Sequence, residues 1–395
     1  MKKRLLALAM GLLALGMTTG VSGSSDAGSH KIGVLVYDIA DEEVMAFREY
    51  LQEYVAPTFG DVQFQYSDSI MSEEEALDFI ERAGSDGVEG ILSFLSYDLE
   101  AEVAACEEEQ MYYMMASGTV PEDQLEAVKK NPWFLGVAGP GAEMEQQAVE
   151  EMTLRFGTMA DRSNSYFILS GGAPYGNEMH RLRTVSVLDT IEEAYGLVFE
   201  TSPEEMALSA EPLSFQKGAL TVTVVPGYAN DPSAFETMKS AFDQGVFDTV
   251  ISVQPLHDMA DVIGRLGCRT GIVDCYSIRN LQLFTDGRLD YVVGKYGSMI
   301  GPSFALMYNA LTGYAEDFRV NGEALEINQC FWSSDNLDDY TEKYTLAASM
   351  EMNAYNYEDL FSMCKAYNPD ATPESLIKLA GECSYEDVLA RRGAA

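Results

Sequence analysis

The chain has 395 residues, 47% of them hydrophobic, and carries 25 basic against 63 acidic residues, a formal charge of −38. A surface that acidic repels a phosphate backbone, which excludes nucleic acid as a partner. The hydrophobic share is that of an ordinary globular chain, and the length suffices for two domains with their own cores.

Lys2, Lys3 and Arg4 precede an apolar run from Leu5 to Met17, and small residues follow around Val21, Ser22 and Gly23. This is the layout of an export signal over residues 1–23, and the run falls short of the ~20 apolar residues of a membrane span. The first cysteine is Cys106, so no lipobox cysteine stands near the cleavage region. The mature protein is therefore expected to be periplasmic or extracellular, with no lipid anchor. The six cysteines, Cys106, Cys268, Cys275, Cys330, Cys364 and Cys383, show no C-x-x-C spacing, which argues against zinc. Cys268 and Cys275 would lie ~20 Å apart at opposite ends of one strand, which leaves Cys364 with Cys383 as the pairing to test.

From Lys31 onward strands and helices alternate. Ile32–Tyr37 is a continuous apolar strand, as expected when helices cover both faces of a sheet. A helix follows over 42–55, with Val44, Phe47, Leu51 and Val55 on one stripe. Val62–Tyr66 is the second strand, and Ser72 with Glu75 reads as a capping box. Val88–Phe94 is the third strand, Leu99–Glu109 a helix, and Met111–Ala116 and Trp133–Ala138 the next two strands. Gly139, Pro140 and Gly141 then punctuate the chain as an interdomain linker does.

The alternation restarts with a helix over 142–158, a strand Tyr166–Leu169, a helix Glu178–Tyr195 and a strand near Leu197–Glu200. An insertion over 201–217 follows, then strand Leu220–Val225 and helix Ser233–Gln244. The stretch Asp248–Tyr276 reads as strand, helix and strand, hence a βαβ unit with parallel strands and a right-handed crossover. Its polar ends, Gln254, His257, Asp258 and Asp274, lie where a parallel sheet places its ligands. Tyr291–Gly294 is a further strand and Ser298–Leu311 a further helix.

Catalytic signatures are mostly missing. The three histidines are His30, His180 and His257, with no G-x-S-x-G elbow beside them. YDIADEE stands where a dinucleotide fold has G-x-G-x-x-G, and there is no Walker loop and no H-E-x-x-H. Asp41, Glu42 and Glu43 fit the first turn of a helix, where the dipole favours carboxylates. No cofactor and no metal site is expected.

Three stretches, SVQPLHDMADVIGRLG with GIVDCY, LDYVVGKYGSMIGPSFALMYNALTG, and INQCFWSSDNLDDY, together with the order of elements, resemble the type I periplasmic binding proteins. The layout is most similar to the ribose-binding branch, over residues 31–344. The resemblance implies an α/β fold of two doubly wound parallel-sheet domains joined by a three-crossing hinge. It places crossings near Gly139, Tyr296 and Gly322, a first domain of 31–139 plus 297–322, and a second of 140–296 plus 323–344. It implies a monomeric, non-enzymatic receptor that captures a small polar solute, a carbohydrate, for the permease of an ABC transporter.

Carry-over gives Tyr37, Asp38, Asp41, Ser96, Tyr97 and Ser117 on the first domain as ligand-binding candidates. Arg183, Tyr228, Asp274 and Lys295 are those of the second. Gln254–Asp258 replaces the family's Asn-Asp pair, which disfavours ribose itself. Arg183 and Lys295 leave an anionic sugar as a variant. Two rival functions share the fold: a receptor feeding a membrane sensor, and a hydrolase using His257 and Asp258. A repressor role is rejected because a leader occupies the place of the DNA-binding helices. Residues 345–395 leave the pattern; Tyr357–Tyr367, Pro373–Leu379 and Tyr385–Ala390 read as helices of a packed C-terminal extension.

Overall fold

The computed structural model describes residues 29–156, 164–264 and 267–393. The leader therefore lies outside the described residues. The first domain is built on β1 (His30–Val36), β2 (Val62–Ser69), β3 (Gly90–Ser93), β4 (Tyr112–Met115) and β5 (Phe134–Gly139). The second is built on β6 (Ser165–Gly171), β7 (Leu213–Lys217), β8 (Leu220–Pro226), β9 (Thr249–Ser252), β10 (Arg269–Cys275) and β11 (Tyr291–Lys295). Two short strands, β12 (Leu325–Asn328) and β13 (Trp332–Ser334), follow among the described residues.

The sheets run β12-β5-β4-β3-β1-β2 and β13-β11-β10-β9-β6-β8-β7. All pairings in the first are parallel. In the second, only the edge strands β7 and β13 are antiparallel. In β1, every residue from Ile32 to Val36 is buried, as a strand covered on both faces must be. The expected βαβ unit is present, with β9 and β10 paired in parallel, although its helix is only Met259–Ile263.

The helix after β1 runs further than its stripe suggested. Glu42–Glu49 continues through a π-helical stretch Tyr50–Val55 into Ala56–Phe59. Pro57 lies inside this continuous run, directly after the π-helical stretch, and Gly60 ends the run at φ +75°. The stretch 201–217, expected to be irregular, holds helix Pro203–Ala207 and strand β7. Leu197–Glu200 is not a strand. In β7, Leu213 and Phe215 alternate with Ser214 and Gln216, the pattern of a half-covered edge.

The third crossing differs from expectation. Leu325–Asn328 was assigned to the second domain, but it pairs with β5 at the edge of the first sheet. The chain passes over between Asn328 and Trp332, because β13 pairs with β11; Gly322 only turns the chain at φ +76° before β12. Gln329 ties the three crossings together: its N–H donates to Gly139 O at 2.9 Å and its Nε2 to Met299 O at 2.8 Å.

The C-terminal extension packs as helices Tyr357–Met363, Pro373–Gly381 and Tyr385–Arg391. Phe361 and Tyr367 join Phe59 and Tyr308 of the first domain in an aromatic cluster. At its other end Tyr385 packs edge-on against Trp332 of the second sheet, and its hydroxyl donates to Glu342 at 2.6 Å. The extension thus straps both domains across the hinge. Cys364 does not face Cys383: its Sγ rests 4.0 Å from Ala305 O, while Cys383 lies against Cys330.

Candidate functional site

The carboxyl ends of β1, β3 and β4 face those of β6, β8, β10 and β11 across the interdomain cleft, and most sequence candidates sit there. Asp41 caps helix Glu42–Glu49, accepting from the N–H groups of Glu43 at 2.8 Å and Val44 at 3.3 Å. It also accepts the Tyr37 hydroxyl at 2.9 Å. Burial raises the Asp41 carboxyl above its ordinary range, against the pull of these donors. The Tyr37 phenol is raised well above its ordinary value, by burial first and then by Glu43 and Asp41.

Two second-domain side chains, Lys295 and Asn230, reach across the cleft, and Asp274 lies beside them. Lys295, the last residue of β11, is 3% exposed. Its Nζ donates to Glu43 Oε1 at 3.1 Å and to Ser117 Oγ at 3.1 Å, both on the first domain. Asn230, beyond β8, donates to Asp38 Oδ2 at 3.3 Å. Asp274, in β10, accepts from Asn280 Nδ2 at 2.7 Å. Its carboxyl is pushed up to about 8 by burial first, then by the negative charge of Asp41 on the opposite domain and of Glu42 and Glu43 beside it. Asp274 therefore holds its proton at neutral pH. The Glu43 carboxyl is raised by burial, with Lys295 opposing the shift.

Arg183 is at the cleft's back wall rather than free within it. Its Nε and Nη2 donate to Glu145 at 2.5 and 3.1 Å, and its Nη1 donates to Val253 O at 2.8 Å. Both partners of this ion pair are buried. Three of the five guanidinium N–H donors are engaged in this way, so Arg183 is held by the second domain's own residues. Tyr228 lies on the second domain's lip, exposed by 39%. It packs so closely over Gly172 that a Cβ there would fall 2.0 Å from its hydroxyl oxygen. Tyr97 is exposed on the first domain's lip, with its hydroxyl donating to Ile70 O at 3.1 Å. Ser96 Oγ is buried beside it, near the Glu102 carboxyl.

Two histidines complete the second domain's lip. His180 Nδ1 accepts the Gly172 N–H at 2.9 Å, and burial, helped by Arg183 and Lys295, lowers its pKa well below the ordinary value. A neutral ring with its proton on Nε2 follows. His257 adopts φ +45°, a left-handed conformation uncommon outside glycine. Burial and then Arg279 lower its pKa, against Asp38, Asp258 and Glu42. Among the described residues no hydroxyl or thiol is hydrogen-bonded to its ring.

Sequence reasoning missed Glu43, Asn230 and His180. The acidic first turn was read as dipole complement alone; Glu43 has a second role as well, because β11 delivers Lys295 opposite it. Among the described residues, no group of three or more His, Cys, Asp or Glu is disposed to hold a metal, and no helix is long and apolar enough to cross a membrane.

No protein-family model matches the chain, and no curated protein matches it by sequence. Solved structures do match in fold. An ABC transporter solute binding protein from Bacillus halodurans with bound myo-inositol is 16% identical. The match covers 82% of this chain and 99% of that one, at a TM-score of 0.57. A galactofuranose binding protein is 11% identical over 80% of this chain and 97% of that one, at 0.60. The periplasmic component of the arabinose ABC transporter from Shewanella sp. ANA-3 is 11% identical over 80% and 95%, at 0.58. Two mostly parallel sheets, three crossings and a polar cleft at the strands' carboxyl ends thus give this chain the type I periplasmic binding protein fold, the fold of sugar-type ABC transporter solute receptors.

Proposed function

We propose that the chain is an exported, non-catalytic solute-binding protein that closes its two domains over a small neutral polyhydroxylated molecule, a sugar or cyclic polyol. In this reading it presents the closed form to the permease of an ABC importer. The observation that carries the reading is the polar cluster that both domains build at the cleft: Tyr37, Asp41, Glu43 and Ser117 from one, Asp274 and Lys295 from the other. Carboxylates and an ammonium group at strand ends make charge-assisted hydrogen bonds to hydroxyls, and the lip tyrosines Tyr97 and Tyr228 offer apolar faces to a ring.

The charges argue for a neutral solute over the anionic variant. Arg183 is already paired with Glu145 and Lys295 with Glu43, while burial and then the carboxylates of Asp41, Glu42 and Glu43 push the Asp274 carboxyl up to about 8. A further negative charge would be repelled. The neighbouring structures bind myo-inositol, galactofuranose and arabinofuranose, all neutral polyols. The hydrolase rival needs His257 within reach of a nucleophile, and it has none among the described residues.

A thermal-shift screen of neutral sugars, cyclic polyols, sugar acids, nucleosides and amino acids tests this reading. A ligand that binds only the folded form stabilises it by about 2.7 kcal/mol at a hundredfold excess over its dissociation constant. Neutral polyols are expected to shift the melting temperature, and Asp274→Ala to abolish the shift. A shift by sugar acids alone, or turnover of a glycoside or ester, would replace the reading.

A further inference from the structure

The hinge and the extension meet at two sulfur atoms. Cys330 lies in the third crossing, between β12 and β13, and Cys383 follows helix Pro373–Gly381 of the extension. Their Sγ atoms are 2.7 Å apart, and Cys383 Sγ also accepts the Cys330 N–H at 3.0 Å. That separation is inside the contact distance of two unbonded sulfurs. The surroundings hold both residues in place. Trp332 Nε1 donates to Cys383 O at 2.8 Å, and Trp332 stacks on Tyr296 of the second crossing at 4.3 Å between ring centres. Cys383 is fully buried, whereas Cys330 is partly exposed and lines a cavity of about 500 Å³ with Gly118, Glu122, Asn328 and Gly381. Small thiols and disulfides can reach Cys330 from that side.

We propose that Cys330 and Cys383 form a disulfide that fastens the C-terminal extension to the third hinge crossing. The chemistry is thiol–disulfide exchange with a low-molecular-weight or protein disulfide as oxidant. Cys330, having lost its proton to solvent, attacks one sulfur of the external disulfide and releases one thiolate, leaving a mixed disulfide. The Cys383 thiolate then attacks Cys330 Sγ and releases the second thiolate. Two protons and two electrons leave the protein, and the oxidant is reduced to two thiols. Cys383 suits the resolving role by position: its Sγ already lies against Cys330 Sγ and accepts the Cys330 N–H, a contact that favours the thiolate. The cross-link joins positions 53 apart, and the loop it closes contains two of the extension's three helices, Tyr357–Met363 and Pro373–Gly381.

The purified chain equilibrated with oxidised glutathione, denatured and alkylated without reductant tests the proposal. Two of its six cysteines should escape alkylation, and peptide mapping should join the segments carrying Cys330 and Cys383. Cys330→Ser should leave Cys383 alkylatable, while Cys364, Cys106, Cys268 and Cys275 react in every sample. Reduction of the folded parent should lower its melting temperature by about 5 °C and leave the Cys330→Ser/Cys383→Ser protein unchanged. Six alkylated cysteines after oxidation, or a link through Cys364, would overturn the disulfide. A link with no change in melting temperature on reduction would overturn its fastening role. None of these outcomes depends on the solute-binding reading.

Discussion

Lys295 Nζ lies 3.1 Å from Glu43 Oε1, so the last residue of a second-domain strand is ion-paired to the first turn of a first-domain helix, 252 positions away. The same ammonium group reaches Ser117 Oγ. Both lysine and glutamate are largely removed from water, where an unmade bond costs more than a made one contributes.

Lys295→Met should therefore weaken domain closure rather than either domain alone. Loss of the shared donor leaves Glu43 and Ser117 unpaired, a cost of about 1–3 kcal/mol to the closed form. Small-angle scattering should show a larger radius of gyration than the parent, and Glu43→Gln should produce a smaller expansion. An unchanged scattering profile for Lys295→Met would remove this pair from the closing mechanism.

Asp274 makes the molecule pH-sensitive. Its folded-state pKa, about 8, stands above the ordinary carboxylate range. Such a group favours the folded, closed form fully at pH values below about 4, and that contribution is lost progressively as pH rises toward 8. The melting temperature of Asp274→Asn should gain on that of the parent between pH 4 and 8 and run parallel above it. A constant difference over that range would mean that Asp274 ionises normally.

Arg183 is expected to act on stability. Removing one member of its buried pair with Glu145 strands the other charge, at a cost of about 3–5 kcal/mol. Denaturant melts of Arg183→Ala and Glu145→Ala should both show this loss, and the double variant should lose less than the sum. A stable Arg183→Ala protein that no longer binds solute would return the arginine to the ligand site.

The extension belongs to the fold. Leu360 is fully buried and packs on Gly301, where an added Cβ would meet its Cδ2 at 3.3 Å. Leu360→Ala should cost about 2–5 kcal/mol in equilibrium unfolding, in the same transition as the first domain. A separate early transition would make the extension an independent unit.

The local grammar of this chain determined a good deal. The apolar run Ile32–Tyr37 marked a strand covered on both faces, Ser72 marked the start of the helix it precedes, and helical spacing over Tyr357–Tyr367 marked the tail as packed. These signals act over a turn or a strand's length, so they are written in neighbouring residues. The assignment of Leu325–Asn328 to the first sheet, the capture of Arg183 by Glu145, the pairing of Cys383 with Cys330 and the reach of Lys295 to Glu43 were decided only by the tertiary structure. Each depends on which distant edge or side chain lies opposite. A strand of four residues can add to either sheet, and a buried charge takes whichever partner the packing of two domains brings within 3 Å or so.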